Sequence, residues 1–229
     1  MNKLIIMLIA VWMLAGCGSE DSGDVNQNSI YTDYELFYNA NDDVTHAIAR
    51  FRFGGPLGTV LELSSASGAN VTFNGDTLTY SALWGGHQRQ YAGNVTSGTF
   101  SYTNTEGGVF INSVPSGTSI AFPTGFDGAD LSKSAAYTLV WDGTPLAPND
   151  QVGIFIGSWA WGDDALFWID ADEASEIVMG VNGLQNLVNG TAVVYMDRWN
   201  AVNVAEGTSE GGRIRYKYRA VNATVTVVD

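Results

Sequence analysis

The densest run of residues able to do chemistry is Trp159-Ala160-Trp161-Gly162-Asp163-Asp164-Ala165-Leu166-Phe167-Trp168-Ile169-Asp170-Ala171-Asp172-Glu173. On a strand, Trp159 and Trp161 face the same side, and so do Asp170 and Asp172. Parallel indoles, with Trp168 close behind, form a platform on which a sugar ring can stack. Asp163, Asp164, Asp170 and Asp172 offer oxygen ligands of the kind that hold Ca²⁺, although their spacing departs from the EF-hand loop. Two carboxylates are also the minimum for a glycosidase, which needs a defined separation across the sugar that spacing in sequence does not supply. Against these stands a plainer account. The tryptophans would be core residues of a sandwich, and the acids would serve turns and the start of a helix.

Other catalytic sets are thin. Gly207-Thr208-Ser209-Glu210-Gly211 matches the G-x-S-x-G pattern, but that motif has meaning only between a strand and a helix. Here it precedes a strand, and His46 and His87 are the only histidines to serve as a base. It reads as a turn. Neither histidine has a partner at metal-ligand spacing. His87 lies in Trp84-Gly85-Gly86-His87-Gln88-Arg89, which reads as a loop with a solvated histidine. No phosphate-cradling loop is present. No catalytic residue is assigned.

Arg213, Arg215, Lys217 and Arg219 alternate with Ile214, Tyr216, Tyr218 and Ala220, giving a strand with one basic and one apolar face. The basic row is either a stripe for an acidic partner or a set of cross-strand partners for the chain's abundant acids.

These residues need a scaffold, and the pattern around them has period two. Thr32, Tyr34, Leu36 and Tyr38 share one face, opposite Asp33, Glu35 and Asn39. Ala47, Ala49, Phe51 and Phe53 alternate with Ile48, Arg50 and Arg52. Further runs at 59–63, 70–73, 77–83, 89–95, 99–103 and 109–114 are short and separated by turn formers. Asn74-Gly75 is the strongest hairpin signal, because both residues tolerate positive φ. Strands are also expected at 136–142, 151–161, 165–170, 191–197 and 212–229. Ile177, Val181, Leu184 and Val188 fit a short helix, despite Gly180 and Gly183 inside it. The fold class is therefore all-β: antiparallel immunoglobulin-like sandwiches, two in tandem, with at most one short helix. The Pro- and Gly-rich stretch 115–136 reads as a crossover or linker, giving units at 30–118 and 119–229.

Composition agrees. Of 229 residues, 45% are apolar and only 15% charged, with 27 glycines, which suits strands and turns rather than disorder. The net charge of −14 opposes nucleic-acid binding.

The N-terminus gives an address. Lys3 is followed by an apolar run from Leu4 to Met13, too short to span a bilayer but suited to a signal peptide. Leu14-Ala15-Gly16-Cys17 follows, and Cys17 is the only cysteine in the chain. These four residues resemble the lipobox of bacterial lipoproteins. The resemblance implies removal of residues 1–16, lipidation (palmitate among the acyl chains) of Cys17, and attachment to the cell envelope, at the outer membrane. Residues 18–29 read as a flexible polar tether. Without a free thiol there is no disulfide, so a core must stabilise the chain.

The reading is a lipid-anchored envelope module, not an enzyme, that binds a glycan or protein without a cofactor. The alternatives are a calcium-dependent carbohydrate-binding module and a glycoside hydrolase.

Overall fold

The computed structural model describes residues 19–157 and 163–229. The fold is an all-β sandwich, 53% strand and 6% helix. Its largest layer is a 12-stranded sheet with a continuous path. The order is Glu20–Asp21, Thr59–Glu62, Val44–Phe53, Ile30–Asn39, Gly212–Arg219, Gly190–Asn203, Asp150–Gly157 and Asp164–Ile169. Gly86–Ala92 pairs with the first half of strand 44–53, and Ala223–Val228 with the first half of strand 190–203.

Most neighbours are antiparallel, as hairpin-rich sequence requires. The pairing that joins the two halves of the chain is parallel: Gly212–Arg219 lies along Ile30–Asn39, setting Asp33 opposite Arg213 and Glu35 opposite Arg215. Strand 212–219 thus enters the first half's core. Ile214 and Tyr216 pack with Tyr34, Leu36, Phe51 and Phe100, while Ala223, Val225 and Val227 pack with Val152, Ile154 and Leu139.

Smaller sheets cover the core face. Val109–Ser113, Thr99–Thr103, Asn70–Phe73 and Asp76–Thr77 form a four-stranded layer over the first core. Its Asn74-Gly75 turn has φ of 51° and 89°, the positive values a tight hairpin needs. Tyr137–Val140 paired with Glu176–Met179 covers the second core. The crossover through 115–136 is itself packed, with Ile120, Phe126 and Leu131 buried.

Two expectations are corrected. The helix expected across Ile177–Val188 shrinks to one turn, Val181–Leu184, because Ile177 is taken by a strand that pairs it with Leu139. Residues 19–29 are not a free tether. Glu20–Asp21 adds a parallel bridge to strand 59–62, and Ser22 and Gln27 are buried. The Gln27 amide donates to the Ser22 and Val25 carbonyls, and its Oε1 accepts from Thr105 N. The Gln27 side chain thus satisfies three backbone groups of this polar segment and its neighbour, which lets the segment order without an apolar pattern. Cys17 and residues 1–18 lie outside the described residues.

One buried ion pair fastens the second half. Arg198 points from strand 190–203 into the core side, with its side chain 2% exposed. It donates to Asp150 Oδ2, to the carbonyls of Thr144 and Pro145, and to Thr144 Oγ1. Asp150 in turn accepts from Ala147 N and from the Asn200 amide. The Pro145–Pro148 turn is thereby tied to the sheet through a network whose charges are nearly all satisfied.

Candidate binding face

The two faces of the large sheet differ in kind. One carries the cores. The other is open and bears the side chains that alternate with the core residues. From strand 212–219 it takes Arg213, Arg215, Lys217 and Arg219. From strand 190–203 it takes Tyr195, Asp197 and Trp199, and from strand 30–39 Asp33, Glu35 and Phe37. Antiparallel and parallel registers put these residues directly side by side.

Charges here form layers. Arg213 binds Asp33 through Nε and Nη2 at 3.1 and 2.8 Å. Arg219 binds Asp197 the same way at 2.7 and 2.8 Å, and Lys217 reaches the same carboxylate at 2.8 Å. Arg215 grips Glu35 with Nε and Nη2, and Arg50 approaches Glu35 from the other side at 3.3 Å. Five cations therefore meet three carboxylates. The acids form the floor: the Asp33 side chain is 9% exposed and its Arg213 partner 48%. Burial would raise Asp197's carboxyl, but the hydrogen bonds and charges of Arg219 and Lys217 outweigh it and hold it below the usual range. A hydrogen bond to Asp33 raises the Arg213 guanidinium, and one to Asp197 raises that of Arg219. Arg219 is also clamped between rings, 5.5 Å from the Phe37 centroid and 5.4 Å from that of Tyr195.

The basic row is thus paired with acids beneath it, with Arg213 exposed and Arg215, Lys217 and Arg219 half-buried. The cross-strand account of these four residues holds, and the partners are Asp33, Glu35 and Asp197.

Towards the sheet edge the face becomes apolar. Strand 164–169 turns Ala165 and Phe167 to the core side, leaving Leu166 67% and Trp168 62% exposed on the other. Trp168 is therefore not a core residue. It stands opposite Gly153, and Leu166 stands opposite Phe155. A Cβ on Gly153 would lie 3.0 Å from the Trp199 ring, so glycine is what lets that indole lie across the strand. Between the apolar edge and the cationic rows runs an open cleft of about 360 Å³, lined by Phe155, Leu166, Tyr195, Trp199 and Arg219 among others.

The other sequence candidates lie elsewhere. Trp159 and Trp161 are outside the described residues. Asp163 accepts a hydrogen bond from Val188 N at 2.8 Å, Asp164 opens strand 164–169, and Asp170 and Asp172 follow it in an exposed turn. Among the described residues no three His, Cys, Asp or Glu side chains stand together as a metal ion would require.

Ser209 of the G-x-S-x-G turn donates to the Asn28 carbonyl at 2.7 Å, and Thr208 to that of Ile30 at 2.7 Å. Its job is to pin the turn to residues 28–30. His87 corrects another expectation. It is buried within strand 86–92, accepting from Leu63 N through Nε2. Gly86 makes this possible, since a Cβ there would sit 2.7 Å from the Ala49 carbonyl oxygen. Read as loop glycines, Gly85-Gly86 concealed a strand start. Burial lowers the His87 pKa to about 4, against the pull of its backbone hydrogen bonds. His46 stacks between Phe37 and Trp84, with centroids 5.8 and 5.0 Å away.

No family model matches the chain, and no curated protein matches its sequence. Among solved structures it is similar to a tetra-tandem repeat in the extending region of a large adhesion protein, at 14% identity and a TM-score of 0.25. That match covers 86% of this chain and 49% of the other. A structure concerned with host cell surface retention of a 1.5-MDa bacterial ice-binding adhesin matches at 14% identity and TM-score 0.25, covering 87% and 65%. The adhesive subunit of the CFA/I fimbria of enterotoxigenic Escherichia coli matches at 6% and 0.17, covering 93% and 96%. The chain spans about half of the first structure and 65% of the second. Likeness this distant carries no argument about function.

Proposed function

We propose that this protein is a non-catalytic binding module held on the bacterial cell envelope by lipid on Cys17, with the open face of its large sheet as the ligand surface. The observation that carries the reading is the placement of exposed Leu166 and Trp168 beside a row of cations already fixed by carboxylates and rings. Exposed aromatic and apolar side chains next to oriented polar groups are what binding surfaces are built from. Ser209 and His87, the side chains that could have served a hydrolase, are engaged with backbone groups. The anchor rests on the lipobox resemblance. Among the described residues no helix is long and apolar enough to cross a membrane.

Two experiments test the reading. Cys17→Ser should abolish incorporation of labelled palmitate and move the protein from the membrane to the soluble fraction; continued labelling would contradict the anchor. Purified protein in excess should compete with the displayed form and reduce attachment of the cells that carry it. Attachment that is indifferent to the competitor would contradict a specific binding surface.

A further inference from the structure

The open face has an unusual charge for this molecule. The chain as a whole carries −14, yet the central rows of the sheet face present five cations over three sunken carboxylates. Arg213 and Arg219 each use Nε and Nη2 on their carboxylate, which leaves the Nη1 hydrogens for a second acceptor. Arg219 loses little freedom on meeting that acceptor, because Asp197, Phe37 and Tyr195 already hold it. Along one strand, alternate residues lie about 7 Å apart, so Arg215, Lys217 and Arg219 form a short ladder of donors. Leu166 and Trp199 line the cleft beside this ladder. Trp168, 62% exposed, stands at its rim on the same sheet face, opposite the cleft residue Gly153.

We propose that this cleft binds an acidic saccharide, with sugar rings seated on the Trp168–Leu166 edge and ring carboxylates on Arg219 and Lys217. The proposal rests on the reading of this face as the ligand surface, and it names the ligand class. The floor of the cleft is a sheet whose backbone groups are spent on neighbouring strands. An extended acidic peptide could join a ladder only at the outer edge of strand 164–169, three strands away from Arg219, so recognition over the cleft must come from side chains. Indole faces and guanidinium edges suit a ring that bears a carboxylate. Nucleic acid fits poorly, since its dense phosphates would meet the acidic remainder of the surface. A polymer with one charge per ring can place its few charges on the ladder.

The test is calorimetric titration of the purified protein with trigalacturonate, neutral maltotriose, polyglutamate and single-stranded DNA at low and raised salt. Trigalacturonate should bind, and more weakly as salt rises. Maltotriose should bind at least about tenfold more weakly. Trp168→Ala, an exposed change, should reduce trigalacturonate affinity by about tenfold with the near-ultraviolet circular dichroism otherwise that of a folded chain. The paired change Arg219→Gln with Asp197→Asn, which keeps the net charge of the face and leaves Lys217 with the Phe37 ring and water, should also weaken it and flatten the salt dependence. Equal affinity for maltotriose, tighter binding of polyglutamate or DNA, or no binding of trigalacturonate by the folded protein would each overturn the saccharide. None of these results touches the cell-attachment competition, so the broader reading of the face stands or falls separately.

Discussion

Replacing Arg198 with leucine is expected to lower the stability of the protein by about 3–5 kcal/mol, read as a fall in the urea midpoint with an unchanged slope. Arg198 and Asp150 are both buried, and the guanidinium also holds the Thr144 and Pro145 carbonyls. Removing it strands a carboxylate out of water and releases the 144–148 turn. The full loss need not follow when both charges go: the double change Arg198→Leu with Asp150→Asn should recover part of it, since no charge is left unpaired. Recovery should stay incomplete, because the Thr144 and Pro145 carbonyls still lose their donor. A single-variant loss under about 1 kcal/mol would mean that water reaches the pair.

The second large effect is a dependence on pH. In the unfolded chain His87 takes up its proton near 6.5, but in the fold burial delays this to about 4. The stability linked to neutral His87 is therefore complete above pH 6.5. It falls as pH drops through the interval, and levels off below 4. The difference between the two values amounts to about 3 kcal/mol at most. His87→Gln retains an acceptor for Leu63 N but cannot be protonated, so its stability should stay level between pH 6.5 and 4.5, where the parent loses most of its share. Asp197 acts in the same direction but lower: a depressed carboxyl gives stability that is lost only as pH falls below the ordinary carboxylate range. Parallel stability curves for parent and variant across this interval would contradict the burial argument.

Local alternation was legible in the sequence because it depends on neighbours two residues apart. The division of Tyr34 and Leu36 from Asp33 and Glu35, the faces of strand 212–219, and the Asn74-Gly75 hairpin all follow from it. What alternation cannot say is which strands meet. The ladder in which Arg213 and Arg215 meet Asp33 and Glu35 spans 180 positions and comes from a parallel pairing, which leaves no turn signal. The acidic partners of the basic row were foreseeable as a class but not by name. The sequence leaves Trp168 open between platform and core because hydrophobicity alone does not choose a face; the inward set in that strand is Ala165 and Phe167. Arg198 gave no signal at all, because its sequence neighbour Asp197 points to the other face and only the fold brings Asp150 to it. Residues 19–29 looked like linker because their order comes from Gln27 and Ser22 contacts rather than from an apolar pattern.

The most direct test of the open face as the ligand surface is attachment by cells displaying one of two surface variants. Leu166→Ser with Trp168→Ser alters the open face; Val140→Ser with Val178→Ser alters exposed apolar residues on the paired strands 137–140 and 176–179. All four side chains are more than half exposed, so both variants should fold and reach the envelope in parental amounts. Attachment should be lost in the first variant and kept in the second. Attachment kept in the first, or lost only in the second, would place the binding surface somewhere other than the open face of the sheet.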